Sequence, residues 1–488
     1  MSREFILNLF FLIAINLLVK PLYTLGVDMQ IQNQLGGQVY GLYFALWNFA
    51  YLFQIVADLG IQQFIARQNA QNANFFYQYF PSFLKLKAYL SLCFAVVVVA
   101  VAWLSGYDAQ SMQYLGLIIF CQLLVSAGLF FRANLAGLGL YRWDSVLSVM
   151  DKFLMLAFGF GILYLPVFQP LSIDKFVLAQ TLAYLLATIL GAGLCVYYYK
   201  KRLPALPTLP IDTQILKDSL PFAMTVLLMS IYGKSDIILL ERLLPTPQAA
   251  GTYAFGVRIL DMGNIIGGLF CGLLLPMLAR LPVQSQATRD LLGVAIRLMM
   301  VFCMVFSATV WAFAESISQR LLVEHSPESV QVLRLLTFSL NGFGLVHIWG
   351  TFLTAQNRLR QANKLFFGAI IFNMGLNFCL IPAYGVVAAA CLAVLTQFGI
   401  GLVQWVWVYK LVGFERNMRT ILAWIGAICF ILTAVWAQTH YQFSLLANVW
   451  LDMLVFAGTL GVACLLIGLL PIKGIFVILK TKNSTLQK

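Results

Sequence analysis

From Ala88 to Leu104 the chain reads AYLSLCFAVVVVAVAWL, seventeen residues without a charge. With its flanks this run reaches the length a helix rising about 1.5 Å per residue needs to cross about 30 Å of hydrocarbon. A membrane strand would look different, about ten residues long with polarity alternating along it. Runs of the long kind recur from one end of the chain to the other. The sequence therefore specifies an all-α, polytopic integral membrane protein of about fourteen transmembrane helices.

Composition agrees with that reading. Of 488 residues, 61% are apolar and 10% charged, and mean hydropathy is +0.87. A soluble protein covers itself with about 25% charged residues, so this chain must present apolar side chains to lipid. The nine cysteines (Cys93, Cys121, Cys195, Cys271, Cys303, Cys379, Cys391, Cys429 and Cys464) all lie in apolar segments. They form no CxxC pair and read as small hydrophobes, not as metal ligands. No cofactor motif is present, and the lack of a Walker A sequence removes ATP as a direct driver. The N-terminal apolar run after Arg3 continues to about Leu25 with no Ala-x-Ala cleavage pattern, so it reads as the first span and not as a signal peptide.

Hydropathy and helix breakers place spans 1 to 14 at 5–25, 40–65, 86–105, 112–134, 147–166, 175–199, 218–243, 249–279, 290–314, 329–355, 362–381, 385–410, 418–437 and 447–470. With the N-terminus in the cytoplasm, 22 of the 31 Lys and Arg residues fall on the inner side. Lys175, Arg242 and Arg320 fall outside, and six lie within spans. Basic loops near span ends resist translocation, so this bias predicts cytoplasmic N- and C-termini. The net charge of +13 then reflects topology and attraction to anionic membrane lipids, and no nucleic-acid partner is needed to explain it.

No loop is long enough for a soluble domain. The longest inner connection, Lys200 to Lys217, holds Pro204, Pro207 and Pro210 and suits a spacer. On either side of it the sequence repeats. Leu35 to Ala66 reads LGGQVYGLYFALWNFAYLFQIVADLGIQQFIA, and Pro247 to Leu281 reads PQAAGTYAFGVRILDMGNIIGGLFCGLLLPMLARL. Each has a small-residue turn, a Gly-x-Tyr (Gly41 with Tyr43, Gly251 with Tyr253), a long apolar helix, and a basic residue at its inner end (Arg67, Arg280). A second pair, LAGLGLYR at Leu135–Arg142 and FLTAQNRLR at Phe352–Arg360, has the same six-span offset. The expected organisation is an N-terminal six-helix lobe (1–203), a cytoplasmic linker (204–216) and a C-terminal six-helix lobe (217–411), followed by two extra helices and a basic tail (412–488). Two parallel lobes joined by a linker suggest a transporter with a central site and alternating access.

The stretch Leu220 to Ile259, LPFAMTVLLMSIYGKSDIILLERLLPTPQAAGTYAFGVRI, resembles the seventh and eighth helices of bacterial oligosaccharide and polysaccharide flippases. In those helices Pro-Phe, an aromatic, a basic residue, Asp and Gly-x-Tyr recur in this order. Gly41, Tyr43 and Asp58-Leu59-Gly60 are similar to the second helix of the same group. It belongs to the multidrug/oligosaccharidyl-lipid/polysaccharide exporter superfamily, with the lipid II flippase and the multidrug and toxin extrusion antiporters. The resemblance covers the twelve repeated spans. It implies an O-antigen flippase-like protein of the bacterial inner membrane that moves an undecaprenyl-pyrophosphate-linked oligosaccharide to the outer leaflet, working alongside polysaccharide polymerase machinery.

Moving a pyrophosphate and many hydroxyls through hydrocarbon needs a wet, cationic cavity. Ionisable residues within spans cost about 2.5–3.5 kcal/mol on insertion scales, so each one asks for a reason. Lys20 (span 1), Lys234 (span 7) and Arg258 (span 8) are the candidate pyrophosphate ligands, with Arg297 (span 9) a further candidate. Arg258 can fork onto two oxygens while lysines act as point charges. Structural alternatives stand beside each: Arg258 and Asp261 are i, i+3, and Lys20 can snorkel. Lys20 and Lys234, on repeat-equivalent spans, are expected to face each other. Lys152 and Arg334 read as interface anchors, and His347 as a packing or hydrogen-bonding residue.

For energy coupling, Asp236 in span 7 is the leading carboxylate, and Asn373 and Asn377, i and i+4 in span 11, share a face. The resemblance to the lipid II flippase implies a sodium site from an Asp on helix 7 and a polar pair on helix 11. Here the second member of the pair is Asn377 instead of an acid, which reduces the site's charge. Sodium and protons both stay open as coupling ions, and interhelical hydrogen bonding is the plainer role for the asparagines. A multidrug exporter of the same superfamily is the nearest rival reading, and the cationic interior argues against it. A membrane polymerase or glycosyltransferase is the enzymatic rival, disfavoured by short outer loops and no paired acidic motif after span 1.

Overall fold

Lipid leaves every backbone N–H and C=O to be satisfied inside its own segment or in a closed barrel. This chain answers with helices. In the computed structural model, residues 15–469 are described, apart from 17, 202–206, 212, 246–247, 279–280, 357, 415–417 and 445–447, and none of them forms a strand. Arg3, Arg202, Pro204, Arg280, Arg416 and the basic tail from Lys473 lie outside the described residues.

Ten described helices are long and apolar enough to cross a membrane. The remaining spans are read from the same helices. The helix Leu359–Val412 is two spans joined at Gly385 (φ 61°, ψ −147°), just after Pro382, as the expected boundary between 381 and 385 requires. Span 7 is Thr213–Leu243, whose lysines and aspartates dilute its hydropathy. Span 1 is helical over residues 18–35 and passes through a π-helical turn, Thr24–Asp28. At the first residue of that turn the Thr24 hydroxyl donates back to the Lys20 carbonyl at 2.9 Å. Spans 13 and 14 are Met418–Tyr441 and Val449–Leu466. The chain is thus an all-helical, multi-pass membrane protein.

Polar side chains begin several of these helices. Asn72, Asp108, Ser285 and Asn448 each accept a backbone N–H of the first turn, and Ser326 with Ser329 forms a capping box. Asp108 lies in the turn between spans 3 and 4. Hydrogen bonds from the Ser111 hydroxyl and amide hold its carboxyl below the usual carboxylate range.

Span 2 departs from the long helix expected. It runs as three pieces, Gly37–Leu52, Gln54–Asp58 and Ile61–Gln71, with Leu59 (φ 46°) and Gly60 (φ 73°) both left-handed. Glycine takes this conformation freely and leucine does not. The break is stabilised from span 3, where the Lys87 ammonium donates to the Ala57 carbonyl at 2.8 Å and to the Ser126 hydroxyl of span 4. The same ammonium sits 3.7 Å from the Asp58 carboxylate, both side chains being almost fully buried. Asp58 also accepts the Gln62 amide beyond the break.

The chain divides into two compact units, Met1–Ala254 and Phe255–Lys488, with the boundary inside the helix Gln248–Leu278 and not at the proline linker. Span 7 packs along span 2 within the first unit. Among the described residues of that unit are two apolar cores. One gathers Tyr40, Leu46, Phe94, Ile118 and Phe176 from spans 2, 3, 4 and 6, and the other gathers Phe64, Phe76, Phe80 and Phe130. The described part of the linker docks on span 3: Leu209 donates to Gln78 and its carbonyl accepts from Ser82. In the second unit, spans 13 and 14 pack on span 9 through Val301, Ala308, Ala427, Ile431 and Leu460.

Candidate functional site

In the first unit, Lys20, Lys234 and Asp236 are all described. Lys20 is half-buried and within electrostatic reach of Asp151, Arg132 and Lys152. Lys234 is half-buried too, its ammonium 6.0 Å from the centre of the Tyr51 ring, at the edge of cation–π range. Lys20 thus lies near charged residues of spans 4 and 5, and Lys234 beside span 2. Asp236 is buried one turn from Tyr232 and accepts the Tyr253 hydroxyl at 3.0 Å. The Gly-x-Tyr tyrosine of span 8 is therefore tied to the carboxylate of span 7.

The first unit also holds a polar cluster that the sequence did not reveal. Lys152 is no interface anchor. Its ammonium lies 4.8 Å from the Tyr23 ring and 5.3 Å from the Tyr184 ring, and donates to the Tyr184 hydroxyl at 3.1 Å. Asp151 stands 3.6 Å away. Trp47 stacks on Tyr184, and Gln180 joins Tyr184 to Tyr43, whose hydroxyl donates to the Gln180 carbonyl oxygen at 2.8 Å. The misreading has a simple cause. The helix begins at Tyr141, six residues before the expected edge of span 5, so Lys152 lies midway along it. A charged pair deep in an otherwise apolar helix was the available signal.

In the second unit, Arg258 is buried, 5% exposed, near the start of span 8. Arg297 is only partly buried and donates back to the Gly293 carbonyl of its own helix at 2.7 Å. Asn373 and Asn377 are both buried and bonded to each other: Asn377 Nδ2 donates to Asn373 Oδ1 at 3.0 Å. Asn373 Nδ2 donates in turn to the Thr396 hydroxyl of span 12 at 3.2 Å. This is the interhelical bonding that the plainer reading expects of them. His347 also has the packing role expected of it, its Nε2 2.7 Å from Asn264 Oδ1. Arg334 donates to the Trp311 carbonyl at 3.4 Å. No cluster of His, Cys, Asp or Glu among the described residues is arranged to hold a metal ion.

A set of buried or half-buried cations along membrane helices can attract an anionic group away from bulk water, where Coulomb attraction is weakly screened. The chain matches the family model described as "Polysaccharide biosynthesis protein" over residues 6–282, more than half its length. No curated protein matches it. Among solved structures, the lipid II flippase MurJ in an inward closed conformation is similar with a TM-score of 0.69 at 12% identity, over 95% of this chain and 98% of that one. An inward-facing multidrug resistance MATE family transporter of the MOP superfamily follows with a TM-score of 0.60 at 14% identity, over 80% of this chain and 94% of that one. The outward-facing MATE structure has a TM-score of 0.60 at 13% identity, over 83% and 94%. At these identities the solved structures establish a shared fold, and the family model establishes membership. The chain belongs to the polysaccharide biosynthesis protein family, and it shares its fold with the solved MurJ and MATE structures.

Proposed function

We propose that this protein flips an undecaprenyl-pyrophosphate-linked oligosaccharide from the inner to the outer leaflet of the bacterial cytoplasmic membrane by alternating access. Its cargo feeds cell-surface polysaccharide or O-antigen assembly. Both termini lie in the cytoplasm, as the basic loops favour. The observation that carries the reading is the burial of Arg258 inside a span of a polysaccharide-family transporter. A guanidinium there is costly unless it serves a function or a partner, and its fork suits a pyrophosphate.

Lys20 and Lys234 add point charges for the same headgroup, and Arg297 serves cargo entry. Asp236, held by Tyr253, is the coupling carboxylate, and Asn373 with Asn377 contributes amide oxygens in span 11. Coupling by sodium or by protons is consistent with this set. The six-span lobes either side of the 204–216 linker are the moving halves. The multidrug-exporter reading draws on the MATE fold, but cationic drugs suit an acidic pocket better than this interior.

In a strain lacking the protein, lipid-linked repeat units are expected to accumulate on the cytoplasmic face. Arg258→Ala should fail to restore surface polysaccharide while reaching normal membrane levels, and Arg258→Lys should restore it in part. Full activity of Arg258→Ala would remove this residue from the site. Asp236→Asn tests the coupling assignment, which fails if transport by that variant keeps its rate and its ion dependence.

A further inference from the structure

At the end of the bundle away from the basic loops, segments before and after the mid-chain linker close on each other within the first unit. The Arg242 guanidinium, at the end of span 7, lies 3.4 Å above the Tyr107 ring in the turn between spans 3 and 4. The Tyr107 hydroxyl donates to Glu241 Oε2 at 3.1 Å, and Arg242 Nε sits 3.3 Å from the same oxygen. Phe49 of span 2 packs edge-on against Tyr107, ring centres 5.4 Å apart. Burial, and then the Glu241 carboxylate, push the Tyr107 hydroxyl up, so it stays a donor.

A second contact seals the same end. A side-chain carbon at Gly251, at the start of span 8, would collide with the Gly37 carbonyl oxygen at the start of span 2, so only glycine admits this approach. The Gln32 amide donates to the Gly251 carbonyl at 3.1 Å beside it.

We propose that the Tyr107–Glu241–Arg242 clasp and the Gly37–Gly251 contact form the outer gate, closed here, which must part to release cargo to the outer face. The proposal rests on the alternating-access reading above, and its test needs no cargo. A guanidinium over a ring and one shared carboxylate is a reversible fastening. Each part is worth little enough to break in a cycle, and together they bias the closed state.

The test places a reporter cysteine at Tyr51, beside Lys234 and inward of the clasp, in a background whose nine native cysteines are alanine. Its reaction with a membrane-impermeant maleimide added from outside is timed, with a permeant maleimide as the folding control. Gly251→Leu and Arg242→Ala should each speed labelling, Arg242→Ala by roughly tenfold. A short bifunctional maleimide joining cysteines at Tyr107 and Arg242 should slow it below the unbridged pair, a readout that survives if Gly251→Leu fails to fold. Labelling that ignores both Arg242→Ala and the bridge overturns the gate. Gated labelling in a protein that moves no lipid-linked sugar would instead overturn the cargo and leave the gate standing.

Discussion

Spans 2 and 8 begin alike in sequence, and the structure builds them differently. Span 2 breaks at Leu59–Gly60, its loose ends tied by the buried Lys87–Asp58 pair. Span 8, Gln248–Leu278, runs unbroken. Three of its glycines serve close packing: a side-chain carbon at Gly256 would strike Leu336 and Val332, one at Gly263 would strike Leu340 and Phe306, and one at Gly267 would strike His347. One repeat motif has therefore yielded a jointed helix held by charge and a straight helix held by contact. In a membrane, where lipid is as apolar as any side chain, helices associate through small residues and polar ties. The two spans take one of these means each.

Four single substitutions and one rescue probe that difference, each read by thermal unfolding in detergent. Lys87→Met has the largest expected effect, a loss of about 3–5 kcal/mol, because it leaves Asp58 buried without its cation. Adding Asp58→Asn should recover most of that loss. A melting temperature unmoved by Lys87→Met would show that the pair does not hold the joint. Next comes Gly256→Leu, which overpacks the contact with Leu336 and should cost about 1–3 kcal/mol, with no rescue from any charge change. Gly60→Ala follows at about 1 kcal/mol, the cost of a left-handed residue with a side chain. Gly268, in span 8, has open space around its missing side chain and a helical backbone. Gly268→Ala should therefore stabilise slightly, by up to about 1 kcal/mol. Opposite signs at Gly60 and Gly268 would confirm that glycines in the two spans do different work, and equal signs would erase the distinction.

The sequence made the spans legible because hydropathy integrates over twenty residues and tolerates local error. The division at Gly385 was readable from Pro382 and the length of the run. The shared face of Asn373 and Asn377 followed from their spacing alone, and their mutual hydrogen bond bears it out. The joint in span 2 was not legible. Asp58-Leu59-Gly60 offers a single glycine, while Leu59 adopts its strained conformation only because Lys87, about thirty residues on, supplies the ties. Lys87 itself counted as one more basic residue of the inner side. Lys152 was missed for a related reason: hydropathy trims a helix where charges begin, and the cage of Tyr23 and Tyr184 comes from spans 1 and 6. The Tyr107–Glu241–Arg242 clasp joins residues more than a hundred positions apart, beyond any local pattern.

Transport of a lipid-linked sugar is tested most directly in sealed vesicles holding the purified protein and a fluorescent undecaprenyl-pyrophosphate oligosaccharide. A membrane-impermeant quencher added outside reads how much of the lipid faces it. With the protein and an ion gradient present, the protected inner pool should become quenchable, and Arg258→Ala should leave it protected. A pool that stays protected with the wild-type protein under sodium and proton gradients alike, while a cationic dye is carried instead, would contradict the account.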